Sequence, residues 1–122
     1  MSDVLGIGCD LCEISRMEHL LENERFLARC LTQEERDYIA SRGAVAAASL
    51  AGLWAAKEAA LKALGTGLSL PLTDIGVTHT EAGQPVYVLT GEALARMAPG
   101  KLLLSISHEG GMAAAFCVWV SG

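Results

Sequence analysis

Two acidic residues, Asp10 and Glu58, lie in segments that are otherwise apolar. Asp10 interrupts a run of Ile, Leu and Cys residues that is typical of a strand, and Glu58 is the only acid in a long Ala-rich segment. A carboxylate in such a setting must pair, bind a cation or reach solvent. Two carboxylates from different elements could share Mg2+, which takes one or two carboxylates and completes its shell with water and phosphate.

A purely structural interpretation of the same two residues stays open. Asp10 could cap the helix that follows its strand, and Glu58 could form a routine i,i+4 pair with Lys62 on a helix surface. Spacing by itself favours this structural interpretation over a metal site.

Three basic side chains could extend such a site. The ammonium groups of Lys57 and Lys62 could both reach a phosphate-bearing ligand at the mouth of the core, or their stems could simply lie along apolar surface. His108 ends a predicted strand just before a turn, where a histidine can exchange a proton, although a plain turn residue fits equally there. As a phosphate loop, Gly6-Ile7-Gly8 is weak because the third glycine of the dinucleotide fingerprint is missing.

The four cysteines are predicted to be buried, reduced and structural: Cys9, Cys12, Cys30 and Cys117. Cys9 and Cys12 form a single CxxC without a second pair, so the spacing does not support a structural zinc. In an alternating strand these two side chains point to opposite faces.

The elements that must position these residues follow from periodicity and turn signals. We predict a strand over about residues 4–12, helices over about 13–21 and 24–31, and a helix that ends at Arg42. Thr32 and Glu35 have the spacing of a capping box at the start of that third helix. The longest helix is predicted from about Val45 to Leu64, with Leu50, Leu53, Leu61 and Leu64 on one stripe, closed by Gly65-Thr66-Gly67.

The C-terminal half is predicted to be mostly strands. The predicted elements are a hairpin of 74–79 with 85–89, a short helix over 91–97, and a hairpin of 102–107 with 112–120 across Gly110-Gly111. This order predicts an α+β fold in which an antiparallel sheet packs on the long central helix.

Length and composition limit the classes of protein that need to be considered. A chain of 122 residues predicts a single domain over 1–122, and 52% hydrophobic with 19% charged residues excludes intrinsic disorder. The net charge of −5 argues against a nucleic-acid binder. Because Lys57, Glu58 and Lys62 interrupt the longest apolar stretch, no membrane span is expected. Met1-Ser2-Asp3 has no basic region typical of a secretory signal, so a cytoplasmic location is expected.

Three blocks of the sequence, in order, resemble holo-acyl-carrier-protein synthases. Residues 6–16 resemble their opening motif G-[IV]-G-x-D-[IVL]-x-x-[IV]-x-R. Residues 54–65 resemble their helix [FW]-A-A-K-E-A-x-x-K-A-L-G, and residues 104–108 resemble their strand [LV]-S-[IVL]-S-H. The length and the Gly83-x-Pro85 hairpin also fit, so the resemblance spans nearly the whole chain.

The resemblance implies a 4′-phosphopantetheinyl transferase fold and activity. Such an enzyme transfers phosphopantetheine from coenzyme A, its co-substrate, to a serine of apo acyl carrier protein and releases adenosine 3′,5′-bisphosphate. It implies that Asp10 and Glu58 are Mg2+ ligands and that Lys62, the third catalytic residue, contacts phosphate. Glu58, a water held by the metal, and Lys62 all remain candidates for the base that accepts the serine proton.

Further residues are assigned by the same resemblance. Coenzyme binding is expected at Lys57, Lys62, Gly65, Pro85, Ser107 and His108. Carrier-protein binding is expected at Arg16, which matches a residue that meets the acidic recognition helix of the carrier, and at Arg25 and Arg29. The family is usually trimeric, with each site between two subunits, so Pro85 or His108 would reach Asp10 from a neighbour. Phe116 and Trp119 also suggest more apolar surface than one protomer comfortably buries.

One position departs from the family pattern. The family commonly carries Arg just before the aromatic residue of the long helix, where this chain has Leu53, and residues 43–56 contain no charge. We hypothesise weaker binding of the coenzyme 3′-phosphate, a substitute such as Arg42 or Lys101, or tolerance of dephospho-coenzyme A. The alternative functions are a catalytically silent trimer that binds carrier proteins and, with less support, a metal-dependent phosphohydrolase.

Overall fold

The computed structural model describes residues 3–66 and 69–122, so Met1, Ser2 and Gly67, which entered the sequence predictions, lie outside the described residues. The described ranges form five strands and five helices. Their bounds are β1 Val4–Glu13, α1 Ile14–Glu18, α2 Glu24–Cys30, α3 Gln33–Ala40, α4 Ala46–Leu64, β2 Ile75–His79, β3 Pro85–Leu89, α5 Gly91–Met97, β4 Lys101–Glu109 and β5 Met112–Val120. Two short 3-10 turns, Gly43–Val45 and Leu72–Asp74, precede α4 and β2.

The strands form two antiparallel sheets. The larger sheet has the order β1-β5-β4, and β2 pairs with β3 in the smaller one. In the larger sheet Asp10 lies opposite Ala115 and His108 lies opposite Ala113. Helix α4 packs across one face of this sheet, and Leu50, Leu53, Leu61 and Leu64 are each only 1% exposed. The α+β class with an antiparallel sheet on a long central helix is therefore confirmed.

Strand β1 approaches α4 so closely that two positions admit no side chain. A Cβ atom built on Gly6 would collide with the carbonyl oxygen of Ala63, and one on Gly8 would collide with that of Ala59. The two glycines of Gly6-Ile7-Gly8 are therefore needed for close packing of β1 on α4. This packing role, and not phosphate binding, accounts for glycine at both positions. Asp10 follows on the same side of β1, because side chains alternate along a strand.

The opposite face of the larger sheet is apolar and exposed. Ile7 is 71% exposed, Leu11 is 66% exposed, and Phe116 of the neighbouring strand is 55% exposed. Trp119 differs from the expectation: its indole donates to the carbonyl oxygen of Met97 at 3.1 Å, and the ring packs against the core. The unpartnered apolar surface is therefore contributed by Phe116 and β1, without Trp119.

The capping box is confirmed, whereas the first helix is shorter than predicted. Thr32 accepts from the amide of Glu35 at 3.2 Å, and Glu35 accepts from the amide of Thr32 at 2.8 Å. The predicted helix over 13–21 is only Ile14–Glu18: β1 continues through Glu13, which pairs with Met112, and the helix ends before the C-cap residue His19. Helix α4 ends at Leu64 and is capped by Gly65. The φ of Gly65 is 72°, in the left-handed region that glycine adopts without a steric penalty.

Three of the four cysteines are buried and Cys9 is not. All four thiols are free, and Cys9 is exposed on the apolar face of β1 while Cys12, three residues on, is buried. The prediction that all four are buried is thus wrong for Cys9, because the alternation of β1 places it on the sheet face that α4 does not cover. Burial raises the pKa of the Cys117 thiol to about 11, which keeps it protonated.

One helical segment, Gly43–Leu64, is long and apolar enough to cross a membrane by length and composition alone. The prediction that Lys57, Glu58 and Lys62 rule out such a stretch is therefore wrong. Most of the segment is buried inside the protein as its central helix. A core helix of a globular protein passes the same test, so the segment is weak evidence for a membrane.

The variant Gly8→Ala tests the close approach of β1 to α4. Its methyl group has to displace the Ala59 carbonyl, so we expect unfolding to become easier by about 1–3 kcal/mol or more, the usual cost of overpacking. Thermal and urea unfolding measure this change. The adjacent Cys9→Ala, on the exposed face, is the control and should change stability little; equal stability of Gly8→Ala and wild type would contradict the packing.

Candidate active site

A cluster of charged side chains lies where β1 crosses the C-terminal half of α4. Lys62 donates to Asp10 Oδ1 at 3.3 Å and to the carbonyl oxygen of Cys9 at 2.9 Å. The Lys62 side chain is 55% exposed and that of Asp10 is 19% exposed, so the pair opens to solvent. Glu58, one helical turn before Lys62, is half-buried beside it. These three residues were predicted from sequence, and the fold brings them together.

The electrostatics of this cluster are those of two carboxylates that repel each other. Burial and, next in size, the negative charge of Asp10 raise the pKa of Glu58, while Lys62 and Arg16 oppose that shift. The structural interpretation of these residues does not hold: Lys62 pairs with Asp10, and α1 begins after Glu13 without a side-chain cap. Asp10 is thus paired with Lys62, whereas Glu58 forms no ion pair among the described residues.

The donor set fits a hard divalent cation such as Mg2+. Among residues 3–66 and 69–122, no group of three or more His, Cys, Asp or Glu side chains could hold a metal ion. Mg2+ needs only one or two carboxylates, because water and phosphate oxygens complete its octahedral shell. Asp10 and Glu58 are the two carboxylates that could fill this role, and the exposed side of the cluster leaves room for the remaining ligands.

Lys57 does not belong to this cluster, which corrects its prediction as a coenzyme-binding residue. Its side chain is 0% exposed, and its ammonium donates to Glu35 Oε1 at 2.8 Å. Burial lowers the pKa of Lys57, an effect that the Glu35 carboxylate opposes. Lys57 and Lys62 lie on different sides of α4, so only Lys62 can contact a ligand at the surface.

A second group of candidate residues surrounds a cavity of about 230 Å³ near the N-terminal half of α4. The side chains of Arg42, Pro85 and His108 all line it. Nε2 of His108 lies 2.9 Å from the carbonyl oxygen of Ala48. Since a carbonyl only accepts, this contact assigns the Nε2–H form and leaves Nδ1 of the neutral ring as an acceptor.

Two residues of this cavity were not predicted from sequence. Tyr38 and His79 stack with their ring centroids 4.4 Å apart, and the Arg42 guanidinium lies 5.2 Å from the Tyr38 ring. Burial, then the charge of Arg42, lowers the pKa of His79. From its sequence context alone His79 would be expected on the surface. His79 reaches Tyr38 only because α3 packs against β2, and no local sequence signal predicts that packing.

The cluster and the cavity lie at opposite ends of α4. Ala48, which contacts His108, precedes Lys62 by 14 residues, or about 21 Å along a helix. Gly65 lies at the cluster end and His108 at the cavity end, so one chain does not bring these two predicted coenzyme-binding residues together. Ser107 also stays apart from His108, because adjacent strand residues point to opposite faces of the sheet.

The predicted carrier-binding arginines are all exposed. Arg16 lies on α1 with its guanidinium 5.6 Å from the Trp54 ring, and Arg25 and Arg29 lie on α2. Trp54 belongs to α4 and contacts Phe26 of α2 at a centroid distance of 5.6 Å. The three cations are therefore held on short helices that pack on the same part of α4.

Comparison with known proteins decides the family. The sequence pattern of the 4′-phosphopantetheinyl transferase superfamily matches residues 6–117. The chain belongs to this superfamily. The matched range spans both the cluster of Asp10, Glu58 and Lys62 and the cavity residues Pro85 and His108.

The relatives are enzymes of one type. The holo-[acyl-carrier-protein] synthase of Treponema denticola is 41% identical over 119 residues, covering 94% of this chain and 97% of that protein. The chain is also similar to the crystal structure of a holo-(acyl-carrier-protein) synthase from Bacillus anthracis in complex with CoA (3′,5′-ADP). That likeness has a TM-score of 0.82, 34% identity and coverage of 98% of both chains. The Helicobacter pylori synthase, in complex with coenzyme A, has a TM-score of 0.79 and 31% identity, covering 91% of this chain and 96% of that one. The family and the enzyme class predicted from the sequence are confirmed.

The variant Asp10→Asn tests the proximity of the two carboxylates. Removing the Asp10 charge should lower the pKa of Glu58, yet leave it above the ordinary glutamate value because burial is the larger cause. A pH titration of the Glu58 carboxyl carbon by NMR, without divalent metal, measures the shift. Asp37→Asn, on exposed α3, is the control; an unchanged Glu58 titration in Asp10→Asn would show that the two groups do not interact.

Proposed function

We propose that this chain transfers 4′-phosphopantetheine from coenzyme A to a serine of apo acyl carrier protein, with Mg2+, and releases adenosine 3′,5′-bisphosphate. The family and the enzyme class support the transfer. The observation that carries the proposal is the cluster of Asp10, Glu58 and Lys62 on an open surface. In the transfer, the serine oxygen forms a bond to the pantetheine-linked phosphorus as the diphosphate bond breaks.

Asp10 and Glu58 would hold the Mg2+. When bound there, the ion neutralises charge that develops on the diphosphate oxygens, the main requirement of phosphoryl transfer. Lys62 places a second positive charge beside Asp10, and its donation to the Cys9 carbonyl keeps the ammonium over β1. Lys62, together with the cation that the two carboxylates would hold, would thus supply positive charge for a diphosphate at this end of α4.

The cavity at the other end of α4 is proposed to take the nucleotide of coenzyme A. Pro85 and His108 line it, and Arg42 supplies the positive charge that residues 43–56 lack. Of the two substitutes considered for the 3′-phosphate, Arg42 is supported by this position. Lys101 is not, because it precedes His108 by seven residues of β4, about 23 Å along the strand.

A homotrimer with sites between subunits is proposed for two independent reasons. The exposed apolar face of β1 and β5 needs a partner, and a second copy offers an equally apolar face. The cluster and the cavity lie on different halves of α4, with Ala48 about 21 Å from Lys62 along the helix, so a neighbouring copy could complete either one. Association of copies would set the cavity of one subunit against the cluster of its neighbour.

The carrier is proposed to dock on Arg16, Arg25 and Arg29. These exposed cations suit an acidic recognition helix, and they lie on helices that contact Trp54, one turn before Glu58 on α4. We also propose a cytoplasmic location and a role in supplying carriers for fatty acid and lipid synthesis. Four free thiols are compatible with a reducing compartment.

Two other functions make different predictions. The catalytically silent carrier-binding trimer is favoured by the absence of charge in residues 43–56. A metal-dependent phosphohydrolase has less support, because the described residues offer no third carboxylate at the cluster. The silent protein would bind carrier without modifying it, and a phosphohydrolase would release phosphate from coenzyme A without any acceptor.

Intact-mass spectrometry of an apo carrier, incubated with coenzyme A, Mg2+ and the protein, tests the proposed function. We expect a mass increase of one phosphopantetheine that EDTA abolishes. Asp10→Ala and Glu58→Ala should each slow the transfer by about 100-fold or more while leaving the fold intact by circular dichroism. Glu22→Ala, an exposed acid away from the cluster, is the control. Carrier binding without any mass increase would instead support the silent trimer.

The variant Arg42→Gln tests 3′-phosphate recognition. Losing one charge-assisted contact should weaken coenzyme A binding about tenfold. Binding of dephospho-coenzyme A, which lacks that phosphate, should not change. Calorimetric titration with both ligands measures the difference, and Lys101→Gln should leave both affinities unchanged. Equal losses for the two ligands, or none for either, would remove Arg42 from 3′-phosphate recognition.

A further inference from the structure

Among the residues that the structure describes, one ion pair lies in the interior, between Glu35 and Lys57. The Lys57 side chain is 0% exposed and that of Glu35 is 1% exposed. Neither residue can contact a substrate at the surface. Burying two charges is expensive, and apolar residues of similar volume often give equal or better stability. The pair therefore needs an explanation other than stability.

The pair connects three separate parts of the chain through hydrogen bonds. Lys57 on α4 donates to Glu35 of α3 at 2.8 Å, to the carbonyl of Ile75 at 2.7 Å and to that of Leu72 at 3.0 Å. Glu35 Oε2 accepts from the amide of Val77 at 2.9 Å. Glu35 Oε1 also accepts from the backbone amide of Thr32, the N-cap residue of α3. The ammonium thus has three acceptors, and the carboxylate contacts both α3 and β2.

The pair is connected through the chain to both parts of the proposed site, the cluster and the cavity. Lys57 immediately precedes Glu58, so fixing its side chain fixes the rotation of α4 that points Glu58 toward Asp10. Ile75 and Val77 belong to β2, whose partner strand β3 carries Pro85. Tyr87 of β3 reaches back to α4 and donates to the carbonyl of Ala56 at 2.5 Å. The pair and this bond hold the β2–β3 hairpin in one register against α4.

We infer that Glu35 and Lys57 are positioning residues for phosphopantetheine transfer: their buried ion pair fixes the rotation of α4 at Glu58 and the placement of the β2–β3 hairpin. This inference rests on the proposed function. It assigns the pair no contact with coenzyme, metal or carrier. Loss of the pair should therefore loosen the metal-binding geometry even where the protein stays folded.

The double variant Glu35→Leu/Lys57→Met separates positioning from stability. It removes both charges and keeps most of the volume, so no unpaired charge remains buried. Leu102→Ala, in the core near the start of β4, is a control expected to lose stability without removing any hydrogen bond of the pair. Circular dichroism first sets a temperature at which wild type and all variants are folded. Should the double variant not fold, Glu35→Gln replaces it with the same expectation.

Two readouts decide the inference. Mn2+ affinity in the presence of coenzyme A, measured by electron paramagnetic resonance, should fall about tenfold in the double variant and stay unchanged in Leu102→Ala. The kcat of transfer should fall about 100-fold, as expected for an error in geometry. A folded double variant with wild-type Mn2+ affinity and kcat would overturn the inference.

The failure of this inference is distinguishable from failure of the proposed function. If wild type transfers nothing to the carrier, the proposed function fails. The Mn2+ comparison then still decides the positioning role, because it does not depend on turnover. If wild type is active and the double variant is equally active, the positioning role fails and the proposed function stands.

Discussion

The site depends on how closely β1 approaches α4. Because Gly6 and Gly8 carry no side chain, the strand backbone lies against the carbonyl groups of Ala59 and Ala63. The next residue on the same side of β1, Asp10, then comes within reach of Lys62 and interacts with Glu58. A methyl group at either glycine would separate the two elements and, with them, the carboxylates. The chemistry at the cluster is therefore a consequence of backbone packing.

Helix α4 carries or contacts the residues of both the cluster and the cavity. It carries Glu58 and Lys62 toward its C-terminal end, while its N-terminal half contacts His108. Between them Lys57 points inward to Glu35. Ala48, which contacts His108 at the cavity, and Lys62 of the cluster lie about 21 Å apart along this helix, given the 1.5 Å rise per residue. This spacing and the exposed apolar sheet face are the two observations behind the proposed assembly.

Most of the fold could be predicted from local signals. The capping box at Thr32, the hairpin at Gly110-Gly111 and the length of α4 each depend on residues close in sequence. Three residues of the site, Asp10, Glu58 and Lys62, could be predicted from the unusual position of charges in apolar segments. The family resemblance then favoured a metal site over a routine surface pair, and the metal site stays a prediction.

The rest depends on contacts between residues distant in the chain. Lys57 and Lys62 look alike in a helical sequence, and only the arrival of Glu35 from α3 makes one of them a buried cation. The stack of Tyr38 on His79 likewise requires that α3 pack beside β2. Cys9 was expected inside because its strand is apolar, yet the sheet has a face that α4 does not cover.

The most direct test is a crystal structure with Mn2+ and coenzyme A, using anomalous scattering to locate the metal. We predict a Mn2+ peak bonded to the carboxylates of Asp10 and Glu58, with the coenzyme diphosphate beside Lys62. The nucleotide should lie in the cavity of Arg42, Pro85 and His108 contributed by a neighbouring subunit. A metal bound elsewhere, or a coenzyme molecule held by one chain alone, would contradict the account.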